Sequence, residues 1–315
     1  MNPLQFAEFE FNSAIHSPHR QRNAIQALAF ALTVILLVNL PIISLVRNLP
    51  IDVSESAAAK ELNSIKVPTF QLDPKVAAAA LAPPDHSKAD NAALTKIITD
   101  YANSHAGKYS VSLFNLKNPV NNVSYNANNQ MLTASTYKLF AAYNALIKVE
   151  QGVWSMSTPT GFGTLDYCLR QAILYSDNDC GEAIGGMLGW HTMTLFVQAS
   201  GYTQTALDSP RGTLSSSSRD FGNLLINLYS GKLLNAEHTS YLLGLMKNQV
   251  YRSGIPAGSG GSVVADKTGN LNTTNDDVAI VYSSKATYVL VIMTDGASIG
   301  DVRALSQQIY NFYNP

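Results

Sequence analysis

The chain has 315 residues, of which 46% are hydrophobic, and its formal net charge is −1 at pH 7. This length allows one large domain or two modest ones. The balanced charge, without a basic patch or a run of like charges, argues against a nucleic-acid partner. The 6 histidines form no ligand cluster with the 2 cysteines, so we expect neither a metal ion nor an organic cofactor.

An uncharged apolar stretch near the N-terminus, Ala27 to Val46, has the length of about 20 residues that spans a bilayer as a helix. Arg20 and Arg22 precede it, so the positive-inside bias predicts residues 1–26 in the cytoplasm and the rest outside. A cleaved signal peptide ending near Ala57 to Ala59 is the alternative, although the apolar run is longer than a usual signal core. The expected location is the cytoplasmic membrane, crossed once.

Residues 47–88 are rich in proline, serine, lysine and alanine, a composition that buries little apolar surface. This pattern predicts an extracytoplasmic stalk that holds a folded domain, residues 89–315, away from the membrane. The sequence contains no internal repeat, and we expect the folded domain to be monomeric.

The folded domain begins with a predicted amphipathic helix, Ala89 to Ala102, followed by a hairpin with strands at Lys108 to Leu116 and Val123 to Tyr125. The middle of the domain is predicted to be almost entirely helical, with helices at Ala134 to Val149, Leu165 to Leu174, Glu182 to Leu188, Thr192 to Ala199, Phe221 to Tyr229 and His238 to Met246. Three further strands precede a last amphipathic helix, at Ser262 to Thr268, Val278 to Ser283 and Thr287 to Met293.

Strands from both ends of the domain therefore enclose a helical insertion. The simplest α+β assembly is an antiparallel sheet of about five strands, with the first and last helices on one face and the helical lobe on the other. We expect a cleft where the sheet and the lobe meet. Cys168 and Cys180 lie in this lobe, where an oxidising location permits a disulfide, and two buried free thiols are the alternative.

The most informative local pattern is Ser135 followed three residues later by Lys138, at the start of a long apolar helix. This spacing puts the hydroxyl and the amine on one helical face. Apolar neighbours such as Leu139 and Phe140 solvate the ammonium poorly, which favours a neutral lysine that can act as a base. We therefore expect Ser135 to be a nucleophile, activated by Lys138 and assisted by backbone amides that bind an oxyanion.

Two further short motifs follow. Ser176-Asp177-Asn178 lies between two helical segments, where its side chains can grip a polar substrate group, although a simple helix cap is the alternative. Lys267-Thr268-Gly269 follows an apolar strand, and a lysine, a hydroxyl and a glycine in succession suit an anionic group near the backbone. Each motif alone occurs by chance in many chains.

In combination and in this order, the three motifs are the signature of class A β-lactamases and penicillin-binding proteins. Residues 89–315 resemble the class A β-lactamase family along their length. Further similarities are Tyr125-Asn126-Ala127 before the serine, Arg252 with the glycines that follow it, and Asn275-Asp276. The resemblance implies a β-lactamase/transpeptidase-like fold and a serine hydrolase that forms an acyl-enzyme.

The resemblance also implies roles for individual residues. Ser135 would attack the carbonyl of a β-lactam or of a peptidoglycan peptide, and Lys138 would receive its proton. Ser176, helped by Lys267, would pass a proton to the departing nitrogen. Backbone amides of Ser135 and Asn270 would stabilise the oxyanion.

Substrate binding is implied for four residues beyond this catalytic group. Thr268, Gly269 and Arg252, together with Lys267, would hold the substrate carboxylate, and Asn178 would bind the side-chain amide. An ion pair at the protein surface is the alternative role for Arg252.

The sequence departs from the family between the second and third motifs. The family carries a glutamate on a loop there, which activates the deacylating water, whereas residues 207–220 contain no glutamate. Asp208 lies on this segment but resembles a structural aspartate more than a base. Three functions remain open: a β-lactamase with altered deacylation, a membrane-anchored D,D-peptidase or transpeptidase, and a penicillin-binding sensor without turnover.

Overall fold

The computed structural model describes residues 85–117, 122–208 and 214–315. The predicted cytoplasmic tail, the apolar stretch Ala27 to Val46 and most of the predicted stalk lie outside these residues. Within the described part of the chain, no helix has the length and hydropathy needed to cross a bilayer. The first helix begins at Asp85, four residues before the start predicted from the sequence.

The described residues form eight α-helices, and each helix predicted from the sequence has a counterpart among them. In chain order they are α1 (Asp85–Ser104), α2 (Lys138–Glu150), α3 (Leu165–Leu174), α4 (Asn178–Leu188), α5 (Trp190–Ala199), α6 (Ser218–Tyr229), α7 (Ala236–Lys247) and α8 (Ile299–Tyr313). The helix α4 starts four residues before the predicted Glu182. The side chain of Asp177 caps this helix by accepting a hydrogen bond from Cys180 N, which explains the earlier start.

Five strands form the antiparallel sheet: β1 (Lys108–Asn115), β2 (Asn122–Tyr125), β5 (Val263–Leu271), β6 (Thr274–Tyr282) and β7 (Thr287–Asp295). Their spatial order is β2-β1-β7-β6-β5. A separate two-stranded sheet, β3 (Met131–Leu132) with β4 (Ser215–Ser216), was not predicted, because two residues carry no periodicity. The strand with the Lys-Thr-Gly motif, β5, is an edge strand, so one side of its backbone is free of the sheet.

The two faces of the sheet are covered as the sequence predicted. Along β7, Val289, Val291 and Met293 pack into one apolar core with the helical lobe. Their neighbours Tyr288 and Leu290 pack into a second core with α1 and α8. This alternation is the two-residue period of a strand buried on both faces.

A disulfide joins Cys168 in α3 to Cys180 in α4, which settles the alternative that the sequence left open. The cysteines are 12 residues apart, and the loop with Ser176 lies between them. The bridge therefore ties together the two helices that carry this loop.

Candidate active site

Ser135 lies in a 3-10 turn, Ala134–Tyr137, that leads directly into α2. Ala134 has φ +39°, a backbone conformation that side-chain-bearing residues rarely adopt and that is concentrated at functional sites. Lys138 is the first residue of α2, and its Nζ lies 3.1 Å from Ser135 Oγ. The contact expected from the three-residue spacing is therefore present.

The Lys138 ammonium is enclosed by the loop that follows α3. Nζ also donates to the backbone oxygen of Ser176 (2.5 Å) and to Asn178 Oδ1 (2.9 Å). Burial lowers the pKa of Lys138 to about 8, and the carboxylates of Asp177 and Glu182 oppose this shift. A neutral amine that can accept the serine proton is therefore available near neutral pH.

The Ser-Asp-Asn loop combines a structural and a chemical role. Asp177 is the N-cap of α4, so the cap interpretation holds for this residue. Ser176 adopts φ +56°, in the left-handed region, and its hydroxyl lines the cavity described below. Asn178, which is exposed, lines the same cavity and contacts Lys138.

Lys267 on β5 reaches this loop from the other side. Its Nζ donates to Ser176 Oγ (2.9 Å) and to the backbone oxygen of Thr268 (2.7 Å). The side chain is fully buried. Burial, reinforced by the charge of Lys138, lowers the pKa of Lys267 to about 7, while Asp266 and Asp277 oppose the shift. Each serine hydroxyl is therefore hydrogen-bonded to a lysine amine of lowered pKa, Ser135 to Lys138 and Ser176 to Lys267.

Gly269 lets β5 pass close to the nucleophile. A Cβ atom added there would lie 2.7 Å from the backbone oxygen of Thr133 and 3.1 Å from the backbone nitrogen of Ser135. The backbone of β5 therefore runs beside the Ser135 amide, and Asn270 is the next residue along it. Asn270 is held by a hydrogen bond of 2.5 Å from its Nδ2 to Asn275 Oδ1.

A cavity of about 570 Å³ opens between the sheet and the helical lobe. Six of the residues that were given a catalytic or binding role from the sequence line it: Ser135, Ser176, Asn178, Thr268, Gly269 and Asn270. Tyr175, Tyr251 and Leu271 also line the cavity and are about half exposed. Lys138 and Lys267 lie behind this lining, buried, with their amines hydrogen-bonded to Ser135 and Ser176.

Arg252 occupies a different position from the one expected for a carboxylate ligand. Its guanidinium forms an ion pair with Asp266 and donates 3.0 Å to the backbone oxygen of Val264. Arg252 is absent from the described residues that line the cavity. Asp266 is fully buried, so it needs a partner for its charge, and Arg252 supplies one. Arg252 therefore forms an ion pair, as in the alternative role named from the sequence, but its partner Asp266 is buried.

Two residues at the site were given no role by the sequence. Gln249 Nε2 donates to Thr268 Oγ1 (3.2 Å) and to Asp266 Oδ2 (3.3 Å), which orients the threonine of the third motif. Glu182 lines the cavity, four residues after Asn178 on α4. The spacing of one helical turn was the available signal, but the later predicted start of α4 concealed it.

Acidic groups elsewhere are engaged in the fold. Asp208 contacts His191, with 3.0 Å between Oδ1 and Nδ1, and both side chains are exposed. Asp220 is buried and accepts hydrogen bonds from Gln204 N and Thr205 Oγ1. Over the ranges that the structure describes, no three His, Cys, Asp or Glu side chains are grouped to hold a metal ion.

Comparison with known proteins gives consistent results. The model of the beta-lactamase enzyme family matches residues 93–313. A beta-lactamase from Chitinophaga pinensis is 18% identical over 70% of this chain and 98% of its own, with TM-score 0.65. PBP-A is 23% identical over 70% of this chain and 96% of its own, with TM-score 0.64. A beta-lactamase from Desulfarculus baarsii is 21% identical over 71% of this chain and 98% of its own, with TM-score 0.63. No curated protein sequence matches significantly. At these identities, the structural similarity shows a shared fold.

Proposed function

The chain belongs to the beta-lactamase enzyme family, and on this basis we propose that it is a serine hydrolase that β-lactams acylate at Ser135. One observation carries the proposal. Lys138 Nζ lies 3.1 Å from Ser135 Oγ, and Lys267 Nζ lies 2.9 Å from Ser176 Oγ, at the wall of one cavity. Two hydroxyls, each paired with an amine of lowered pKa, suit a reaction that moves a proton to and from a reacting amide.

Acylation would begin when Ser135 Oγ attacks the amide carbonyl carbon and its proton passes to Lys138. Backbone amides of Ser135 and Asn270 would bind the oxyanion, and each such donor contributes about 3 kcal/mol to barrier lowering in comparable sites. The carbon–nitrogen bond then breaks, and the nitrogen takes the Ser176 proton. Lys267, hydrogen-bonded to Ser176, would replace that proton. The product is an ester at Ser135 and an amine.

Substrate binding would use the free edge of β5. Because β5 has a sheet partner on one side only, its backbone can pair with an amide-containing substrate. Thr268, held by Gln249, and Lys267 would attract the substrate carboxylate, while Asn178 would bind a side-chain amide. Arg252 would act indirectly, by neutralising Asp266 beside Lys267.

A D,D-peptidase is the second candidate, and the loop between the second and third motifs favours it. The acidic residue of that loop, Asp208, faces His191 at the surface instead of the cavity. A peptidase or transpeptidase uses the same acylation residues and passes the acyl group to water or to an amine of a second peptide. A membrane anchor at Ala27 to Val46, which stays a sequence prediction, would suit a substrate in the cell wall.

The test uses the full-length chain with a chromogenic β-lactam and, separately, with a peptide ending in D-Ala-D-Ala. Intact-mass measurement should show one β-lactam-derived adduct, which peptide mapping places on Ser135. Repeated turnover of the β-lactam supports a β-lactamase, and release of D-Ala supports the peptidase. A stable adduct with neither turnover supports a penicillin-binding sensor. No adduct at any concentration would refute acylation at Ser135.

A further inference from the structure

The cavity contains one acidic side chain with no role in the acylation step. Among the described residues that line the cavity, Glu182 carries the only carboxylate. It is exposed, and within the described part of the chain no hydrogen bond or ion pair engages it. A carboxylate that faces the space where the acyl group forms can contact a water molecule there.

The helix that carries Glu182, α4, packs against Lys138, the lysine that contacts the proposed nucleophile Ser135. Asn178, one turn earlier on α4, accepts a hydrogen bond of 2.9 Å from Lys138 Nζ. A Cβ atom added at Gly181, the residue before Glu182, would lie 2.6 Å from Lys138 Cε. The face of α4 that turns toward Lys138 therefore includes Asn178 and Gly181, and Glu182, the next residue, lines the cavity.

Other acids close to this region are committed elsewhere. Asp177 caps α4 by accepting from Cys180 N (2.8 Å). Asp208 contacts His191 at the surface, and Asp220 is buried under the lobe. None of these three lines the cavity. Glu182 is thus the one acid among the described residues that lines the cavity together with Ser135.

We propose that Glu182 is the general base that activates water for hydrolysis of the Ser135 acyl-enzyme, an inference that rests on the proposed acylation. The Glu182 carboxylate takes a proton from water while the water oxygen bonds to the ester carbonyl carbon. The tetrahedral oxyanion collapses, and the bond between the carbon and Ser135 Oγ breaks. The proton passes from Glu182 through Lys138 to Ser135 Oγ, which restores the hydroxyl and releases a carboxylic acid.

The electrostatics of the pair provide a second, independent readout. The negative charge of Glu182 raises the pKa of Lys138 and so opposes the lowering caused by burial. Replacing the carboxylate by a neutral amide removes this opposition, so the pKa of Lys138 falls further. If Lys138 must be neutral to accept the serine proton, the rise of acylation with pH then shifts to lower pH in the Glu182→Gln variant.

The test compares Glu182→Gln with Asp179→Asn in the full-length protein. Asp179 is the matched control, because it lies on the same helix, is exposed and does not line the cavity. Acylation is followed by intact mass after mixing with a chromogenic β-lactam, and deacylation by steady-state hydrolysis. We expect Glu182→Gln still to be acylated, with the rise of acylation shifted to lower pH, to hydrolyse the β-lactam about 100-fold or more slowly, and to accumulate the adduct. Asp179→Asn should match the wild type.

Three results would overturn the inference while leaving acylation at Ser135 intact. Glu182→Gln could hydrolyse the β-lactam at the wild-type rate. It could change only KM, which would indicate a substrate-binding carboxylate. The wild-type adduct could last as long as that of the variant. A wild-type chain that takes no adduct would refute the proposed function itself, and the inference with it.

Discussion

Lys267 Nζ donates a hydrogen bond of 2.9 Å to Ser176 Oγ, although the two residues are 91 positions apart in the chain. The lysine belongs to the edge strand β5, and the serine belongs to the loop between α3 and α4. This contact joins the sheet to the helical lobe beside the cavity that Ser135 lines. The proposed chemistry therefore depends on the relative positions of β5 and the loop with Ser176, which this hydrogen bond fixes.

Ser135→Ala should abolish covalent labelling by a β-lactam, because no other described residue combines a cavity-facing hydroxyl with Lys138 at 3.1 Å. Labelling is measured by intact mass of the full-length chain. Asp208→Ala is the control, and it should label at the wild-type rate because Asp208 contacts His191 at the surface. An adduct on Ser135→Ala would show that the nucleophile is another residue.

The pH profile of acylation should be bell-shaped, because Lys138 must be neutral and Lys267 must be protonated. The rate rises with pH as Lys138, whose pKa burial lowers to about 8, loses its proton and can accept that of Ser135. It falls again as Lys267, whose pKa burial lowers to about 7, loses the proton that it passes to Ser176. The two apparent values belong to the coupled pair of lysines rather than to single residues. The measurement is the second-order rate constant of adduct formation across neutral and mildly alkaline pH.

Lys148→Ala supplies the control for this profile. Lys148 lies on the same helix, α2, but outside the cavity lining, so its removal should leave the profile unchanged. A rate that falls throughout this range, without a rising part, would contradict the role of Lys138 as the proton acceptor.

Gly181→Ala should impair acylation more than stability. The added methyl would lie 2.6 Å from Lys138 Cε and 3.0 Å from the Tyr137 hydroxyl oxygen, so the lysine must move. A displacement of the amine relative to Ser135 should slow acylation by about 10-fold to 100-fold. Because alanine favours helix over glycine by about 1 kcal/mol, part of the steric cost to stability is offset.

Gly186→Ala, on the same helix α4, is the matched control. A Cβ atom there meets nothing within 4 Å. The expected results are normal acylation and a free energy of unfolding that is unchanged or raised by up to about 1 kcal/mol. Equal acylation rates for the two variants would argue against close packing of α4 on Lys138.

Loss of the disulfide should lower the free energy of unfolding by about 3 kcal/mol, the value expected for a short closed loop in the chain-entropy model. The comparison is between the wild type and the Cys168→Ala/Cys180→Ala double variant in urea denaturation. Acylation should slow as well, because the cysteines flank the loop with Ser176. Added reductant should weaken the wild type and leave the double variant unaffected. Identical unfolding curves for the two proteins would contradict a structural role of the bridge.

Much of the fold follows from local pattern. The strand β7 was predicted at Thr287 to Met293 and is present at Thr287–Asp295, and the apolar run after Lys138 predicted the buried helix α2. The contact between Ser135 and Lys138 was also predictable, because helical geometry alone brings residues three apart together. The sheet of five antiparallel strands and its two helical layers were predicted from the order of the elements.

Other features depended on the tertiary structure, because they are set by contacts between residues that are distant in the chain. The sequence left Cys168 and Cys180 undecided, and only the packing of α3 against α4 brings their sulfur atoms together. Arg252 was expected at the substrate, but the fully buried carboxylate of Asp266 binds it instead. Glu182 received no role from the sequence, where it was only the predicted start of the helix after the second motif. Residue spacing can place a carboxylate on one face of a helix, but whether that face meets solvent or a cavity is decided by how the helices pack, which is a long-range property.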